Sequence, residues 1–163
     1  MQVKNDLEEI EVALHQNLNP HLDLVSQIAG HILFSGGKRL RPLLMVLSAR
    51  VCGYKGDYDK IFSTIFEYLH AATLLHDDVV DVSTLRRGRP TANAKWGNAP
   101  SVLVGDFLYS RAFQMMVHIG DMSIMKILSN TTNVISEGEV QQLVNVKDPD
   151  VTESDYMRVI HKK

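Results

Sequence analysis

The stretch that decides the fold is IFSTIFEYLHAATLLHDDVVD, residues 61 to 81. Its apolar residues recur at three- and four-residue intervals, as at Ile61, Ile65 and Leu69, and they do not alternate with polar residues as in a half-buried strand. Its first sixteen positions offer almost no polar face, which is typical of a helix surrounded by other helices. We therefore predict a long, largely buried helix that ends in a cluster of aspartates.

The same periodicity recurs along the chain, between clusters of residues that break helices. Predicted helices span about residues 3–17, 21–35, 40–52, 60–81, 100–119, 121–145 and 152–161. The last begins with Thr152, a favoured N-cap residue, followed by acidic residues in the first turn. The segment RRGRPTANAKWGNAP, residues 86–100, is predicted to be a loop. The predicted fold class is all-α, because apolar residues keep helical spacing along the chain without sustained alternation. No repeat, low-complexity tract or linker interrupts this pattern.

Length and composition limit the classes of protein that this chain can be. At 163 residues it is long enough for one domain with its own core. The apolar fraction of 45%, the charged fraction of 22% and the net charge of −2 are ordinary for a soluble globular protein. This charge balance gives no reason to expect a nucleic-acid partner. No run of about 20 apolar residues is present, so no membrane span is expected.

Two features indicate a reducing compartment, and we expect a cytoplasmic protein. The first residues, MQVKNDLEEIEVALHQNL, are charged and lack the apolar core of a signal peptide. The single cysteine, Cys52, can form no internal disulfide. Because it lies within SARVCGY, we predict that Cys52 is a small core residue and not a nucleophile.

A second segment, PSVLVGDFLYSRAFQMMVHIG at residues 100–120, is also apolar around almost its whole circumference. We predict that it too is surrounded by helices. Asp106 lies inside it, and burying a charge is costly unless the charge is paired or bound to metal. Two interpretations of Asp106 stay open: a structural ion pair or cap, and a functional residue.

Helical geometry places Asp77 and Asp81 one turn apart on a single stripe of the predicted helix, together with His70 and Thr73. Asp78 lies beside them, and like charges at this spacing repel one another. Acidic residues at a helix C-terminus are also disfavoured by the helix dipole. A solvated acidic helix end is the simple interpretation. A divalent cation would remove the repulsion, and Mg²⁺ takes oxygen ligands while keeping positions open for phosphate.

Two basic clusters accompany the aspartates: GGKRLRP at residues 36–42 and LRRGRP at residues 85–90. Arginine binds phosphate through two parallel hydrogen bonds, and lysine acts as a point charge. The glycine pair allows the backbone to approach a ligand closely. Each cluster alone could be surface charge. Together with the carboxylates they indicate a site for two polyanions, one held through metal and one held directly by cations.

These motifs together carry a family resemblance. LLHDDVVD followed by LRRGRPTAN resembles the first aspartate-rich motif, DDxxD, of the trans-prenyltransferases, also called trans-polyprenyl diphosphate synthases. GGKRLRP is similar to their isopentenyl-diphosphate motif, GDFLYSRAF to the helix after the aspartates, and EGEVQQL to their GExxQ element. The resemblance begins at about residue 20 and is greatest to the bacterial octaprenyl diphosphate synthases. It implies a helical bundle of the isoprenoid synthase type.

The resemblance implies a reaction in which an allylic prenyl diphosphate is elongated with isopentenyl diphosphate, with Mg²⁺ as cofactor. The product would be a long all-trans polyprenyl diphosphate of about C40, a precursor of quinone side chains. By resemblance, Asp77 and Asp81 would ligate Mg²⁺ with Asp78 in support, and Arg86 would contact the allylic diphosphate. The residues that would hold isopentenyl diphosphate are Lys38, Arg41, His70 and Arg87.

The resemblance assigns roles to four further positions. Gln142 would lie near the reacting centre, and Lys163 aligns with the lysine of the family's Lys-Thr pair. Ala72 and Thr73 would gate the hydrocarbon tunnel, and their small size implies a long product. Bulky residues deeper in the tunnel would end it, and the candidates are Phe113, Met115 and Met116. Tight helix packing is the alternative explanation for the two small residues.

The family carries a second aspartate-rich motif on a later helix, and this sequence has no match to it. The later acidic segment KDPDVTESD is predicted to be a turn and a helix start. We therefore expect residues 1–163 to be the N-terminal part of a single synthase domain, weakly active or inactive alone. We also expect a homodimer or other homo-oligomer, because half a bundle exposes apolar surface.

Two other functions are consistent with parts of the sequence. A metal-dependent phosphohydrolase of the HD type would use His70 and the aspartates as ligands, but it would leave both basic clusters without a role. A non-catalytic helical subunit of a heteromeric prenyl synthase would explain the missing second motif. Such a subunit would be expected to lose the metal-binding aspartates, which this chain keeps.

Overall fold

The stretch that decides the fold forms one uninterrupted helix, α4, over Asp59–Val80. The computed structural model describes residues 2–163, and for Gln2 only the backbone. The other elements, in chain order, are α1 (Gln2–Leu18), α2 (Asp23–Leu33), α3 (Leu40–Val51), β1 (Leu85–Arg86), β2 (Arg89–Pro90), α5 (Ala92–Trp96), α6 (Asn98–Ile119), α7 (Met122–Asn145) and α8 (Glu153–Lys162). Each of the seven predicted helices is present, with its ends displaced by at most two residues, and the all-α class is confirmed.

The segment 86–100 is the one place where the predicted elements were incomplete. It was predicted to be a loop, but it contains a short antiparallel hairpin, the helix α5 and the first residues of α6. Arg86 and Arg89 pair across the hairpin, and its two turn residues, Arg87 and Gly88, have φ values of 52° and 75°. These are the left-handed conformations of a type I′ turn. Elements this short have too few residues to show a period.

The chain forms two compact units, the first ending at Ile119 and the second spanning Gly120–Lys163. In the first unit, α4 packs against all the other helices, α6 above all. Of the periodic apolar residues of α4, Ile65 and Leu69 are buried and Ile61 is partly buried. Tyr68 is fully buried and donates a hydrogen bond of 2.6 Å to the carbonyl oxygen of Leu14 in α1. Burial raises the pKa of this phenol, so it remains protonated.

The second unit consists of α7 and α8. Thr152 caps α8 as predicted, because its hydroxyl accepts from the backbone N–H of Asp155 and that carboxylate accepts from the N–H of Thr152. The two helices approach closely at Gly138, where an added Cβ would lie 2.9 Å from Cβ of Lys162. The expectation that both units belong to one larger domain remains a prediction.

Two predictions about burial were wrong. Cys52 is exposed, because it lies at the end of α3 where the chain turns away through Gly53. α6 is only partly surrounded by helices: Leu108 is fully buried, but Leu103 and Val117 are 66% and 65% exposed. Apolar composition alone therefore did not determine which face of α6 is covered.

Among residues 2–163, no helix is both long enough and apolar enough to cross a bilayer.

Candidate functional site

A cationic cleft of about 490 Å³ lies in the first unit, between the glycine pair, the start of α3, the middle of α4 and the hairpin turn. Its volume is in the range of small-molecule sites. The four residues that the resemblance assigns to isopentenyl diphosphate, Lys38, Arg41, His70 and Arg87, all line it. The structure thus brings together side chains from three separate parts of the sequence.

His70 lies in this cleft as a neutral imidazole. Its Nε2 atom is 3.1 Å from Nη1 of Arg41. Since a guanidinium only donates, Nε2 of His70 accepts and its proton is on Nδ1. Burial is the main cause that lowers the pKa of His70 to about 4, and the charges of Arg41, Arg87 and Arg86 act in the same direction. An anion in the cleft would offset those charges.

The type I′ turn places Arg87 against the glycine pair. Nη1 of Arg87 donates to the carbonyl oxygen of Gly36. An added Cβ at Gly37 would lie 3.0 Å from the same nitrogen, so a larger residue there would crowd the guanidinium. The two basic clusters, about fifty residues apart in sequence, therefore form one cationic surface.

Arg39 of the same basic motif also borders the cleft, as does Glu67, but its side chain is engaged by other helices. It is buried and donates to Glu11 of α1, to Glu67 of α4 and to the carbonyl oxygen of Leu33. Burial alone would lower the pKa of Arg39, but the two glutamates outweigh it and the pKa is raised. Arg39 is therefore a structural cation that joins three helices. Sequence alone could not separate it from Lys38 and Arg41.

The three aspartates at the end of α4 have different surroundings. Asp78 is 1% exposed, and its two oxygens accept three hydrogen bonds of 2.8–3.0 Å from Nε and Nη2 of Arg86. Asp77 is half-buried and Asp81 is exposed. The carboxylate of Asp78 is thus committed to an ion pair. This makes Asp78 less available as a metal ligand than the exposed Asp81.

The charge of Arg86 acts on both parts of the site. Its hydrogen bonds to Asp78 raise the pKa of Arg86, with further contributions from the charges of Asp77 and Asp81. The same guanidinium contributes to the lowered pKa of His70 in the cleft. Arg86 therefore lies within electrostatic reach of the aspartates and of the cationic cleft.

The number and type of the carboxylates limit which metal they could hold. Among the described residues, no group of three or more histidine, cysteine, aspartate or glutamate side chains is arranged to hold a metal ion. Asp77 and Asp81 alone would supply only part of the coordination shell of a metal ion. Such a pair fits Mg²⁺, which binds through one or two carboxylates, keeps several waters and takes its remaining ligands from substrate phosphates.

Asn93 was missed by the sequence analysis. Its amide nitrogen donates to the carbonyl oxygens of Asp78 and Ser83, at 3.2 and 3.0 Å, and so holds the loop after α4 against the helix end. Its Oδ1 atom is buried without a hydrogen-bond partner. The only sequence signal was its place in PTAN, within the segment predicted to be a loop.

Asp106 is neither buried nor a helix cap. Its side chain is 60% exposed, and one oxygen lies 3.2 Å from Nε2 of His76. The same nitrogen is 3.2 Å from the carbonyl oxygen of Val102. Gly105 permits this approach, because an added Cβ would lie 2.4 Å from that nitrogen. The expectation of a buried charge was therefore wrong.

Gln142 and Lys163 meet in the second unit. The Lys163 ammonium donates to Oε1 of Gln142 at 2.6 Å and to Oε2 of Glu139 at 2.7 Å. The close approach at Gly138 allows this contact between α7 and α8. The GExxQ element therefore provides the glycine for packing and two oxygen partners for the lysine.

The residues with predicted roles in product length are partly or fully buried. Ala72 is fully buried, and the hydroxyl of half-buried Thr73 donates to the carbonyl oxygen of His70. Met115 and Met116 of α6 are buried, whereas Phe113 is half-buried and its ring lies 5.1 Å from that of Tyr109. Their roles in product length remain predictions.

Comparison with known proteins finds a matching family and several relatives of known name. The sequence model of the polyprenyl synthetase family matches residues 22–163. The chain is 51% identical over 158 residues to octaprenyl diphosphate synthase from Escherichia coli, covering 97% of this chain and 49% of that protein. It is 35% identical to component 2 of heptaprenyl diphosphate synthase from Bacillus subtilis, covering 99% and 46%.

Solved structures agree with these sequence matches. A polyprenyl synthase from Caulobacter crescentus, crystallised with calcium and isoprenyl diphosphate, superposes with a TM-score of 0.94 at 40% identity. The match covers 99% of this chain and 49% of that one. The chain spans about half the length of the relatives it matches.

Proposed function

Because this chain belongs to the polyprenyl synthetase family, we propose that it forms the diphosphate-binding part of a trans-polyprenyl diphosphate synthase. In this proposal the cationic cleft binds isopentenyl diphosphate, and Asp77 and Asp81 bind the allylic diphosphate through Mg²⁺. The observation that carries it is the convergence of Lys38, Arg41 and Arg87 on a cleft formed partly by the helix that also carries the aspartates. Cations that line the cleft, together with carboxylates at the end of α4, suit two diphosphates, one bound directly and one through metal.

The neighbouring side chains support this division. Arg41 and Arg87 supply guanidinium N–H groups for the isopentenyl diphosphate, and neutral His70 supplies a further donor at Nδ1. Asp78 holds Arg86, whose remaining N–H groups can bind the allylic diphosphate. When bound, Mg²⁺ would neutralise charge that develops on the departing diphosphate. The apolar residues of α4 and α6 would keep water from the reacting carbon atoms.

We propose a long product, of the octaprenyl class that supplies quinone side chains. The relatives named above make octaprenyl and heptaprenyl diphosphates by their names, and the small residues Ala72 and Thr73 leave room for a long chain. We also propose a cytoplasmic enzyme that forms homodimers or other homo-oligomers. Gln142 and Lys163 would act at the reacting centre, and their mutual hydrogen bond would orient both.

A second proposal is that the chain is a non-catalytic subunit of a heteromeric prenyl synthase. The relative named as component 2 of heptaprenyl diphosphate synthase favours an enzyme of more than one part. The two proposals differ in what the aspartates do. If the chain is catalytic, Asp77→Ala should lose the Mg²⁺-dependent binding of an allylic diphosphate analogue. If the chain is a scaffold, Asp77→Ala and the unchanged chain should bind the analogue equally.

The binding test uses titration calorimetry of the 163-residue chain with inorganic pyrophosphate, without metal and then with Mg²⁺. Arg41→Gln should weaken binding in both conditions, and Asp81→Asn should weaken only the Mg²⁺-dependent part. Lys55→Gln removes an exposed cation outside the cleft, and this matched control should bind like the unchanged chain. If Lys55→Gln and Arg41→Gln lose the same amount of affinity for pyrophosphate, binding reflects the overall charge of the chain. That result would overturn the proposal.

The activity test incubates the chain with farnesyl diphosphate, labelled isopentenyl diphosphate and Mg²⁺, followed by chromatography of the lipid product. A labelled long prenyl chain would support the reaction and give its length. Pyrophosphate binding without product, from folded protein, would restrict this chain to substrate binding.

A further inference from the structure

The hairpin Leu85–Pro90 carries Arg86 and Arg87 but is too short to be stable by itself. Each strand has two residues, and isolated two-stranded hairpins are marginal in water even when they are longer. The turn also holds Arg87 in the left-handed region, which is unfavourable for a residue with a side chain. Contacts from other elements must therefore hold this segment in place.

Some of these contacts act on the first strand and on the turn. Arg86 in β1 is bound to Asp78 at the end of α4. Arg87 at the turn donates to Gly36. Thr91, directly after β2, donates to the carbonyl oxygens of Ser83 and Thr84 and so closes the base of the hairpin. None of these contacts joins the returning strand, β2, to α2.

His31 contacts that returning strand from the last turn of α2. Its Nε2 atom lies 2.8 Å from the carbonyl oxygen of Pro90, 59 residues away in sequence. A carbonyl only accepts, so the proton of this hydrogen bond is on Nε2. The imidazole also meets the indole of Trp96 edge to face, with 5.1 Å between ring centroids. Two contacts therefore orient the ring, one to β2 and one to α5.

We infer that His31 is a positioning residue for the cationic cleft: its hydrogen bond to Pro90 keeps the hairpin against α2 and so keeps Arg87 beside the glycine pair. His31 itself is not among the residues that line the cleft. It acts through the hairpin and touches no substrate. The link to diphosphate binding rests on the proposed function, whereas the link to the hairpin rests on the contacts alone.

Two substitutions separate the hydrogen bond from the ring contact. His31→Phe removes the donor but keeps a flat ring against Trp96. His31→Gln keeps a side-chain N–H that can reach a carbonyl oxygen. His118→Phe, at an exposed histidine of the same unit, is the matched control. The measurements are amide hydrogen exchange over residues 85–91 and over α4, and the Kd for inorganic pyrophosphate without metal.

We expect His31→Phe to speed exchange in residues 85–91, with α4 unchanged, and to weaken pyrophosphate binding by roughly threefold to tenfold, the size of one lost hydrogen bond. His31→Gln should keep the exchange rates of residues 85–91 and the Kd for pyrophosphate close to those of the unchanged chain. His118→Phe should leave both quantities unchanged. Unchanged exchange in His31→Phe, faster exchange throughout α4, or faster hairpin exchange with an unchanged Kd would each overturn the inference. If the unchanged chain does not bind pyrophosphate, the proposed function fails. The exchange rates would then still decide whether His31 holds the hairpin.

Discussion

At the scale of single residues, Asp78 and Asp81 differ in burial, because Asp78 is 1% exposed and Asp81 lies at the exposed end of α4. Asp78 accepts three hydrogen bonds from Arg86, so its role is to hold a cation. Removing one partner of a buried ion pair leaves the other charge poorly compensated. Asp78 and Asp81 should therefore respond differently to the same substitution.

Asp78→Asn should lower the free energy of unfolding by about 1–3 kcal/mol, because Arg86 loses its charged partner while retaining partial access to water. Asp81→Asn changes an exposed carboxylate and should alter stability by less than about 0.5 kcal/mol. Urea unfolding followed by circular dichroism measures both. Equal stability of the two variants would contradict the assignment of Asp78 as a structural residue.

His70 should make stability depend on pH. Its pKa in the folded chain is about 4, below the ordinary 6.5, so the unfolded chain binds a proton more readily between these values. The contribution of neutral His70 is therefore fully present above about pH 6.5 and is lost as the pH falls toward 4. His70→Gln should show a smaller loss of stability across this window. Parallel curves for the two proteins across the same window would contradict the shift.

At the scale of elements, glycines set how closely helices approach. Gly138 lies in α7 where α8 crosses it, and an added Cβ would lie 3.2 Å from the backbone carbonyl carbon of Lys162. Backbone cannot rotate away as a side chain can, so the helices would have to separate. Gly30 in α2 is different, because an added Cβ would meet its nearest atom, Cδ2 of Phe34, at 3.8 Å.

Gly138→Ala should destabilise the second unit by about 1–3 kcal/mol through overpacking and weaken the contact of Lys163 with Gln142. Gly30→Ala should be neutral or stabilising by up to about 1 kcal/mol, because alanine favours a helix and meets ordinary packing. Hydrogen exchange of α8 and thermal unfolding of both variants provide the comparison. Greater destabilisation by Gly30→Ala would contradict this account of the α7–α8 crossing.

At the scale of the whole molecule, the exposed apolar surface of α7 is the main feature. Val140, Leu143 and Val144 lie along one side of the helix and are more than half exposed. Contiguous apolar surface of this kind marks an interaction site or an aggregation hazard.

The double substitution Val140→Glu and Val144→Lys should reduce self-association and dye binding at this surface. The two charges are four residues apart with glutamate first, so they support the helix while removing apolar area. Sedimentation equilibrium and binding of anilinonaphthalene sulfonate measure the effect, and Asn130→Glu, at an exposed polar position of α7, is the control. The prediction is wrong if mass and dye binding are the same in all three proteins.

The sequence by itself determined the helices and the family. Helix formation depends on periodicity and capping within a few turns, so α4 and its terminal aspartates could be located from local residues alone. The family could be identified from residue types and positions alone, because several motifs agree with it in order and spacing.

Only the tertiary structure decided which charges are buried and paired. Lys38, Arg39 and Arg41 are equivalent as sequence, but Arg39 is buried against glutamates from two other helices. Asp78 is paired with an arginine from a hairpin that showed no periodic signal. Burial and ion pairing depend on which distant segments meet, and periodicity within one segment carries no information about that.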